Sequence, residues 1–228
     1  MHHLRRFCES FVAVVVALVA PEKNSLRAYG DMSATELRRV LRPAAALPAS
    51  MADWLSAIFS YADPRVREIV WEIKYRRHNV LAEKMGRLLY EEMARRTKAA
   101  QLSVGENGEK IILAPISSSK ERRRERGFNQ CEVLCEAIMK CEAAAEIFEY
   151  VPDLLVKTKN TPHQADLQRA DRLQNIVGSY KVAAPEKYRE HIIYIVDDVV
   201  TTGATLSEAR RVLVEAGARE VHGFAIAH

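Results

Sequence analysis

The sequence predicts an α/β fold with a mainly parallel central sheet flanked by helices, and three observations carry that expectation. Two short runs, Ile111-Ile112-Leu113-Ala114-Pro115-Ile116 and Ile192-Ile193-Tyr194-Ile195-Val196, are continuously apolar, as strands buried on both faces are. The segments around them repeat apolar residues every three to four positions, the period of an amphipathic helix. The C-terminal stretch then reads strand, helix, strand, with lengths that suit a right-handed βαβ unit.

Composition supports an ordinary globular chain. The 228 residues leave room for one full domain with an appendage, or for two small ones. An apolar fraction of 48%, 28% charged residues, 9 Gly and 8 Pro exclude disordered, collagen-like and disulfide-scaffold classes. The formal net charge of +4 is a mild basic balance that suits phosphate-bearing ligands without demanding nucleic acid.

His2, His3, Arg5 and Arg6 precede an apolar run over residues 11–20 that looks like the n- and h-regions of a signal peptide. The run is shorter than the roughly 20 residues of a membrane span. It lacks a clean A-x-A cleavage site, and Pro21, Glu22 and Lys23 follow at once, so a buried helix or strand at the domain's edge is expected. Residues 21–50 read as a connecting arm with a short helical pattern from Glu36 to Leu41, broken by Pro43 and Pro48. We therefore divide the chain into an N-terminal arm, 1–50, of unread role and a domain spanning 51–228.

Within that domain Asp63 is set as an N-cap and Pro64 as the first helical residue, with Val66, Ile69, Val70 and Ile73 on one face. A second helix begins near Asn79, with Leu81, Met85, Leu88, Leu89 and Met93 inward and Glu83, Lys84, Glu91 and Arg95 outward. The polar loop Gly105-Glu106-Asn107-Gly108 leads into the first apolar strand. Residues 127–140 read as helix, and Leu154-Leu155-Val156 as a further strand. A polar stretch over 157–175, containing Pro162, has no apolar period, and loops of that length are usually functional or disordered. After the strand at 192–196 come a helix over 206–216, stopped by Gly217, and a last strand over 221–226. The four cysteines, Cys8, Cys131, Cys135 and Cys141, form no C-x-x-C pair. Cys131 and Cys135 fall on the side of Leu134 and Ile138, and are read as small core residues rather than a metal or redox site.

The chemistry concentrates at the end of the second strand, in Val196-Asp197-Asp198-Val199-Val200-Thr201-Thr202-Gly203-Ala204-Thr205. The acids fall at the carboxyl end of a buried parallel strand, where open α/β sheets bind ligands. The hydroxyl-and-glycine loop directly precedes a helix, so backbone N–H groups, threonine hydroxyls and the helix's positive end make a pocket for one phosphate. Gly203 lets the backbone turn and approach without a side chain in the way. Two acids would repel that phosphate unless they face ribose hydroxyls, so a sugar phosphate is the expected ligand. Helix capping alone would explain one of these residues and not two adjacent acids with the threonine loop. A Walker B strand is excluded because none of the nine glycines is followed by Lys. A phospho-acceptor receiver would carry its acids near the domain start rather than in the penultimate strand.

This segment resembles the phosphoribosyl-pyrophosphate-binding motif of type I phosphoribosyltransferases. Tyr75 within residues 72–77, the run Arg126-Gly127-Phe128-Asn129-Gln130, and Thr161, Pro162, Gln164, Leu167, Arg172 and Asn175 narrow the resemblance to the ComF family, competence-associated proteins related to purine-type phosphoribosyltransferases. The similarity covers about residues 51–228. It implies a type I phosphoribosyltransferase-like sheet with a flexible hood. Asp197 and Asp198 would hold the ribose hydroxyls, and Thr201, Thr202, Gly203, Ala204 and Thr205 would wrap the 5′-phosphate. Ala114-Pro115-Ile116-Ser117 is similar to the loop that contacts pyrophosphate, and Lys74, Arg126, Asn129 and Gln130 are carried over as substrate-binding positions. The stretch 157–175 corresponds to the hood, from which Gln164, Arg169 and Arg172 would close over the pyrophosphate, with Arg172 joining the two aspartates in catalysis. Closure would exclude water from an oxocarbenium-like transition state.

The expected ligands are phosphoribosyl pyrophosphate with Mg²⁺ carried by the substrate near Asp197 and Asp198, and an unidentified nitrogen acceptor. No protein metal ligand is expected. The family commonly begins with a four-cysteine zinc finger, whereas this region holds only Cys8, so no zinc is expected. An amidotransferase would need an N-terminal catalytic cysteine and a large extra domain, and neither is read here. Residues 120–126 carry five bases and two acids. They are open to three readings: a pyrophosphate clamp, a groove for single-stranded DNA with Phe128 stacking on a base, or a solvated helix start. Two functions follow, an enzyme transferring ribose 5-phosphate and a non-catalytic DNA-uptake accessory that binds single-stranded DNA and senses the nucleotide sugar. Competence or recombination proteins and a second copy of the chain are expected partners, and the cytoplasm, where the metabolite is found, is the expected location.

Overall fold

Five apolar segments of three to eight residues pair into one wholly parallel sheet in a computed structural model that describes residues 23–99, 110–158 and 176–228. They are β1 (Leu55–Phe59), β2 (Ile111–Pro115), β3 (Phe148–Tyr150), β6 (Ile192–Val199) and β7 (Glu220–Ala227), in the spatial order β1-β7-β6-β2-β3. The strands β4 (Leu155–Lys157) and β5 (Tyr180–Val182) form a separate antiparallel hairpin. The chain divides into two units, and the sheet belongs to the one from Ser33 to His228. In the other, ending at Met32, the described residues hold helix α1 (Lys23–Asp31). The signal-like run at 11–20 lies outside the described residues.

Residues 33–50, expected as part of the arm, belong to the sheet-bearing unit. Helix α2 (Ala34–Val40) is closed by a capping box between Ser33 and Glu36, and Leu37 and Leu41 are buried. The chain then runs beside β1, with Ala44 N–H donating to Ile58 O at 3.0 Å and Ser60 N–H to Arg42 O at 2.8 Å. This covers an edge that would otherwise expose unpaired backbone groups. Helix α3 (Ala49–Ala52) leads into β1, a strand too short and mixed to be read from sequence.

Helix α4 (Pro64–Arg76) starts at Asp63, whose carboxylate accepts from Arg65 N–H and Arg42 N–H, each at 3.0 Å. The Arg65 guanidinium beside it holds that carboxyl down at about 2. Helix α5 (Asn79–Ala99) buries Leu81, Met85, Leu88, Leu89 and Met93 as its period predicts. The helix expected over 127–140 is present as one helix, and a separate short helix precedes it. Helix α6 (Lys120–Arg126) ends at Gly127, which takes φ +78°, and α7 (Gln130–Met139) restarts with Asn129 as its cap. Helix α7 lies close against α5, where a Cβ on Gly86 would stand 2.6 Å from Ala137 Cβ. After the short α8 (Ala144–Ile147) comes β3, and α9 (Ala204–Glu215) joins β6 to β7.

The sheet is therefore covered on both faces. Ile193 and Ile195 of β6 share a core with Leu206, Ala209 and Leu213 of α9 and with Leu155 and Tyr180 of the hairpin. Tyr194 turns to the opposite face, its hydroxyl 2.8 Å from Thr97 Oγ1 on α5. The connection from β2 goes to β3 on one side and that from β6 to β7 on the other. The crevice between the carboxyl ends of β2 and β6 is thus the switch point of the topology, the place where open α/β sheets hold ligands.

Candidate functional site

One cleft opens at that switch point, with a volume of about 170 Å³. It is walled by the end of β6 and the start of α9 on one side and by the loop after β2 on the other. Strand β6 carries Asp197 and Asp198 to the cleft floor because its preceding residues, 192–196, are buried on both faces and fix its register against β2 and β7. Val200 N–H then donates to Ala227 O at 2.8 Å, and Gly203 turns the chain at φ +75°. The backbone angle demands glycine there, and a Cβ would in addition push aside Met51 Sδ, the movable end of a side chain. Gly203, the cap residue of α9, has no side chain to bond the helix; the Thr202 hydroxyl accepts from Ala204 N–H at 3.4 Å, and the rest of the first turn, with Thr205 and Leu206 lining the cleft, keeps its N–H groups for a ligand.

The two acids are adjacent but not equivalent. Asp198 is buried; its Oδ1 accepts from Val199 N–H at 2.9 Å, and its Oδ2 lies 3.1 Å from Lys74 Nζ, an ion pair rather than an aligned hydrogen bond. Burial is the largest single influence and raises the cost of its charge, but the Lys74 ammonium, the Asp197 side chain and the Val199 N–H together outweigh it and hold the carboxyl below its ordinary value. Asp197 Oδ1 accepts from Asp198 N–H at 2.8 Å and from Cys131 Sγ at 3.5 Å. Burial, and then the Asp198 charge beside it, push Asp197 up to about 7. Cys131 is raised well above the usual thiol range, first by burial and then by the two carboxylates, so it remains a thiol donor. The donor atoms of Cys131, Asp197 and Asp198 lie within 4.8 Å of one another. With the thiol proton turned to Asp197 and Lys74 against Asp198, the set does not fit a resident divalent ion.

The opposite wall is differently committed. Ser117 Oγ donates to Leu155 O on β4, and Ser117 O accepts from the Tyr180 hydroxyl at 3.3 Å, so the loop is stapled to the hairpin. Ser118 Oγ is buried beside the cleft without a partner. Asn129 does not line the cleft. Its Oδ1 accepts from Cys131 N–H at 3.2 Å as the cap of α7, and its Nδ2 donates to Ile116 O at 3.1 Å. Arg126 also stands off the cleft, donating to Gln130 Oε1 at 3.2 Å and lying 4.8 Å over the Tyr75 ring.

The structure thus brings Lys74, Ser117, Gln130, Asp197, Asp198, Thr201, Thr202, Gly203, Ala204 and Thr205 into one cleft. Gln164, Arg169 and Arg172 lie outside the described residues. Tyr61, Ser118, Cys131, Lys157 and Tyr180 also line it and were not expected as site residues. Cys131 carried a signal, since it follows Arg126-Gly127-Phe128-Asn129-Gln130 directly, but its helical period read as core. Tyr61 follows a strand the sequence does not reveal, and Tyr180 sits in a strand of three residues.

A parallel sheet with an acidic pair and a threonine-glycine loop at its switch point defines a type I phosphoribosyltransferase-like fold. The chain belongs to the ComF family. It is 31% identical over 172 residues to the DNA utilization protein YhgH of Shigella flexneri, across 73% of this chain and 68% of that protein. It is 25% identical over 178 residues to competence protein F of Haemophilus influenzae, across 77% and 72% of the two chains. Competence protein ComFC of Streptococcus pneumoniae is 34% identical over 119 residues, 51% of this chain and 46% of its own. No family model matches the chain. Among solved structures, the allosteric regulatory enzyme of purine biosynthesis superposes with a TM-score of 0.39 at 17% identity, over 68% of this chain and 30% of that one. The hypoxanthine phosphoribosyl transferase of Trypanosoma cruzi superposes with a TM-score of 0.37 at 13% identity, over 70% and 64%. Among the described residues no helix is long and apolar enough to cross a membrane.

Proposed function

We propose that the cleft binds phosphoribosyl pyrophosphate and transfers its ribose 5-phosphate group to a nitrogen acceptor. One observation carries this reading: the glycine-capped N-terminus of α9, the Thr201–Thr205 loop and the acidic pair all line one cleft at the switch point. The 5′-phosphate sits against the first turn of α9, and the ribose lies over Asp197, whose Oδ2 is the carboxylate oxygen left for a hydroxyl. The acceptor nitrogen attacks the anomeric carbon as its bond to the pyrophosphate oxygen breaks, and pyrophosphate leaves with that electron pair. The protein's part is to position the reactants and stabilise the departing charge, for which Ser118 and Lys74 are at hand.

Calorimetric titration with phosphoribosyl pyrophosphate tests this on the full chain and on Asp197→Asn with Asp198→Asn, circular dichroism confirming that the variant folds. The expected result is micromolar binding that falls at least about 100-fold in the variant, a loss of about 2.7 kcal/mol. Pyrophosphate release in the presence of nitrogenous bases then identifies the acceptor. Binding that survives in the variant removes the site assignment.

A second reading is favoured by a surface beside the cleft. Arg126, Tyr75, Trp71 and Arg76 stack in series, with Arg126 4.8 Å over Tyr75, the two rings 5.5 Å apart, and Arg76 4.9 Å over Trp71. Arg77 lies 5.8 Å over Phe128 nearby. Two neighbouring rings, tilted 42° to each other and flanked by guanidinium groups, suit the bases and backbone of single-stranded DNA. The names of the relatives, a DNA utilization protein and competence proteins, support that use.

A further inference from the structure

We infer that Lys74 stands where a divalent ion would otherwise bridge the acidic pair to the sugar diphosphate, so that the cleft takes this ligand without a metal. The inference rests on the ligand proposed above and concerns how its charge is met. Magnesium usually sits between one or two carboxylates and the substrate's phosphate oxygens, keeping several waters. Here the acidic pair leaves at most one oxygen for that seat, with an ammonium beside it. Asp198 has one oxygen on Val199 N–H and the other 3.1 Å from Lys74 Nζ. Asp197 has one oxygen on Asp198 N–H and the Cys131 thiol, leaving a single oxygen toward the cleft. A dication placed there would meet the ammonium at close range, where like charges in a partly buried site repel strongly.

Lys74 is also firmly placed. It lies on α4 one residue after the fully buried Ile73, and the helix is pinned at its start by Asp63 and at its end by Arg77 in the left-handed conformation at φ 50°. Its side chain is 27% exposed, and that exposure is to the cleft it lines. An ammonium has three N–H donors, so while one faces Asp198 the others are available to ligand oxygens. A tethered cation that contacts both the dyad and the ligand does the electrostatic work of the bridging ion, without the dehydration that magnesium resists.

The test is titration of the full chain with phosphoribosyl pyrophosphate in excess Mg²⁺ and in excess EDTA, repeated with Lys74→Met. Wild-type affinity is expected to differ by less than about threefold between the two media, a small fraction of a typical affinity. The variant is expected to lose at least about tenfold in EDTA and to recover most of it with Mg²⁺, the metal now entering the seat the lysine left. Wild-type binding that appears only with Mg²⁺ overturns the role of Lys74 while keeping the ligand. Absence of binding in both media overturns the ligand and the cation role together. Because the wild-type comparison needs no substitution, the outcome does not depend on whether Lys74→Met folds.

Discussion

The wall of the cleft at the end of β6 and the wall at the end of β2 are both made of a buried parallel strand, a hydroxyl-rich loop and a helix, yet they hold their polar groups differently. On the β6 side the cap residue of α9 is Gly203, and apart from the Thr202 hydroxyl on Ala204 N–H the first turn keeps its N–H groups for the cleft. On the β2 side Ser117 is bonded to the hairpin and Asn129 caps α7 while tethering Ile116. The first wall presents backbone, and the second occupies its side chains internally. A short motif is thus a sound guide to a ligand where backbone conformation does the binding. It is a weaker guide where side chains have neighbours to bond.

The largest effect that would break this contrast is expected at Gly203. Valine there must adopt φ +75° and collide with Met51, which costs about 3 kcal/mol from the left-handed backbone and the overpacking together. Urea denaturation should show that loss, and affinity for phosphoribosyl pyrophosphate should fall at least about tenfold. Pairing it with Met51→Ala should return the packing part and not the affinity. A Gly203→Val protein of wild-type stability and affinity would mean that the loop does not need its observed conformation.

Asn129 sharpens the other side. Removing a cap and a buried tether at once should cost Asn129→Ala about 2 kcal/mol of stability. Its affinity for the sugar diphosphate, measured well below the melting temperature, should change by less than about threefold. A variant that melts normally but binds poorly would return Asn129 to the ligand, where the family resemblance places it.

These two residues also show what could be read in advance. The buried strands at 111–116 and 192–196, the helices at 63–76 and 79–99 and the loop at 201–205 were legible because each is long and uniformly patterned, or needs a residue type that only one conformation explains. The strands β1, β3 and β5 were not legible, because strands of three to five residues with a polar member carry too little period. The pairing of Lys74 with Asp198 and of Cys131 with Asp197 joins elements 124 and 66 residues apart, read as 198 − 74 and 197 − 131. No local pattern records such a meeting. The resemblance could name both aspartates as ribose ligands, and only the tertiary partners distinguish them.

That distinction has a pH signature. Asp197 rises from 3.8 to about 7 in the folded chain, so the folded state holds this proton more tightly than the unfolded one. The stability it contributes is complete below pH 3.8 and is lost as pH rises through about 7. Asp197→Asn cannot ionise, so wild-type stability relative to this variant should decline between pH 4 and 7 by about 1–2 kcal/mol, after allowing for solvent screening, and level off above. Asp198 is held below its ordinary value, by Lys74 in both proteins and by Asp197 in the wild type, so in the wild type it titrates below this window, and the Cys131 thiol stays protonated across it. Parallel stability curves would mean that the two aspartates share one environment.

The smallest expected effect on the fold lies outside both walls, on α6. Arg123 is paired with Glu132, whereas Arg124 is exposed, so the helix offers fewer mobile charges than its composition suggests. Changing Arg122, Arg123 and Arg124 to Ala should alter stability by less than about 0.5 kcal/mol, the scale of surface ion pairs such as that of Arg123. If the neighbouring stack of Arg126, Tyr75, Trp71 and Arg76 receives single-stranded DNA, the same variant should reduce the slope of log affinity against log salt by about 1–2, given roughly 0.7 per phosphate contacted on a single strand. The reduction falls short of three full contacts because Glu132 already neutralises Arg123. An unchanged slope would make the basic helix a solvated face and leave the cleft as the ligand-binding surface, whereas a reduced slope with intact sugar-diphosphate binding would separate the two surfaces in one experiment.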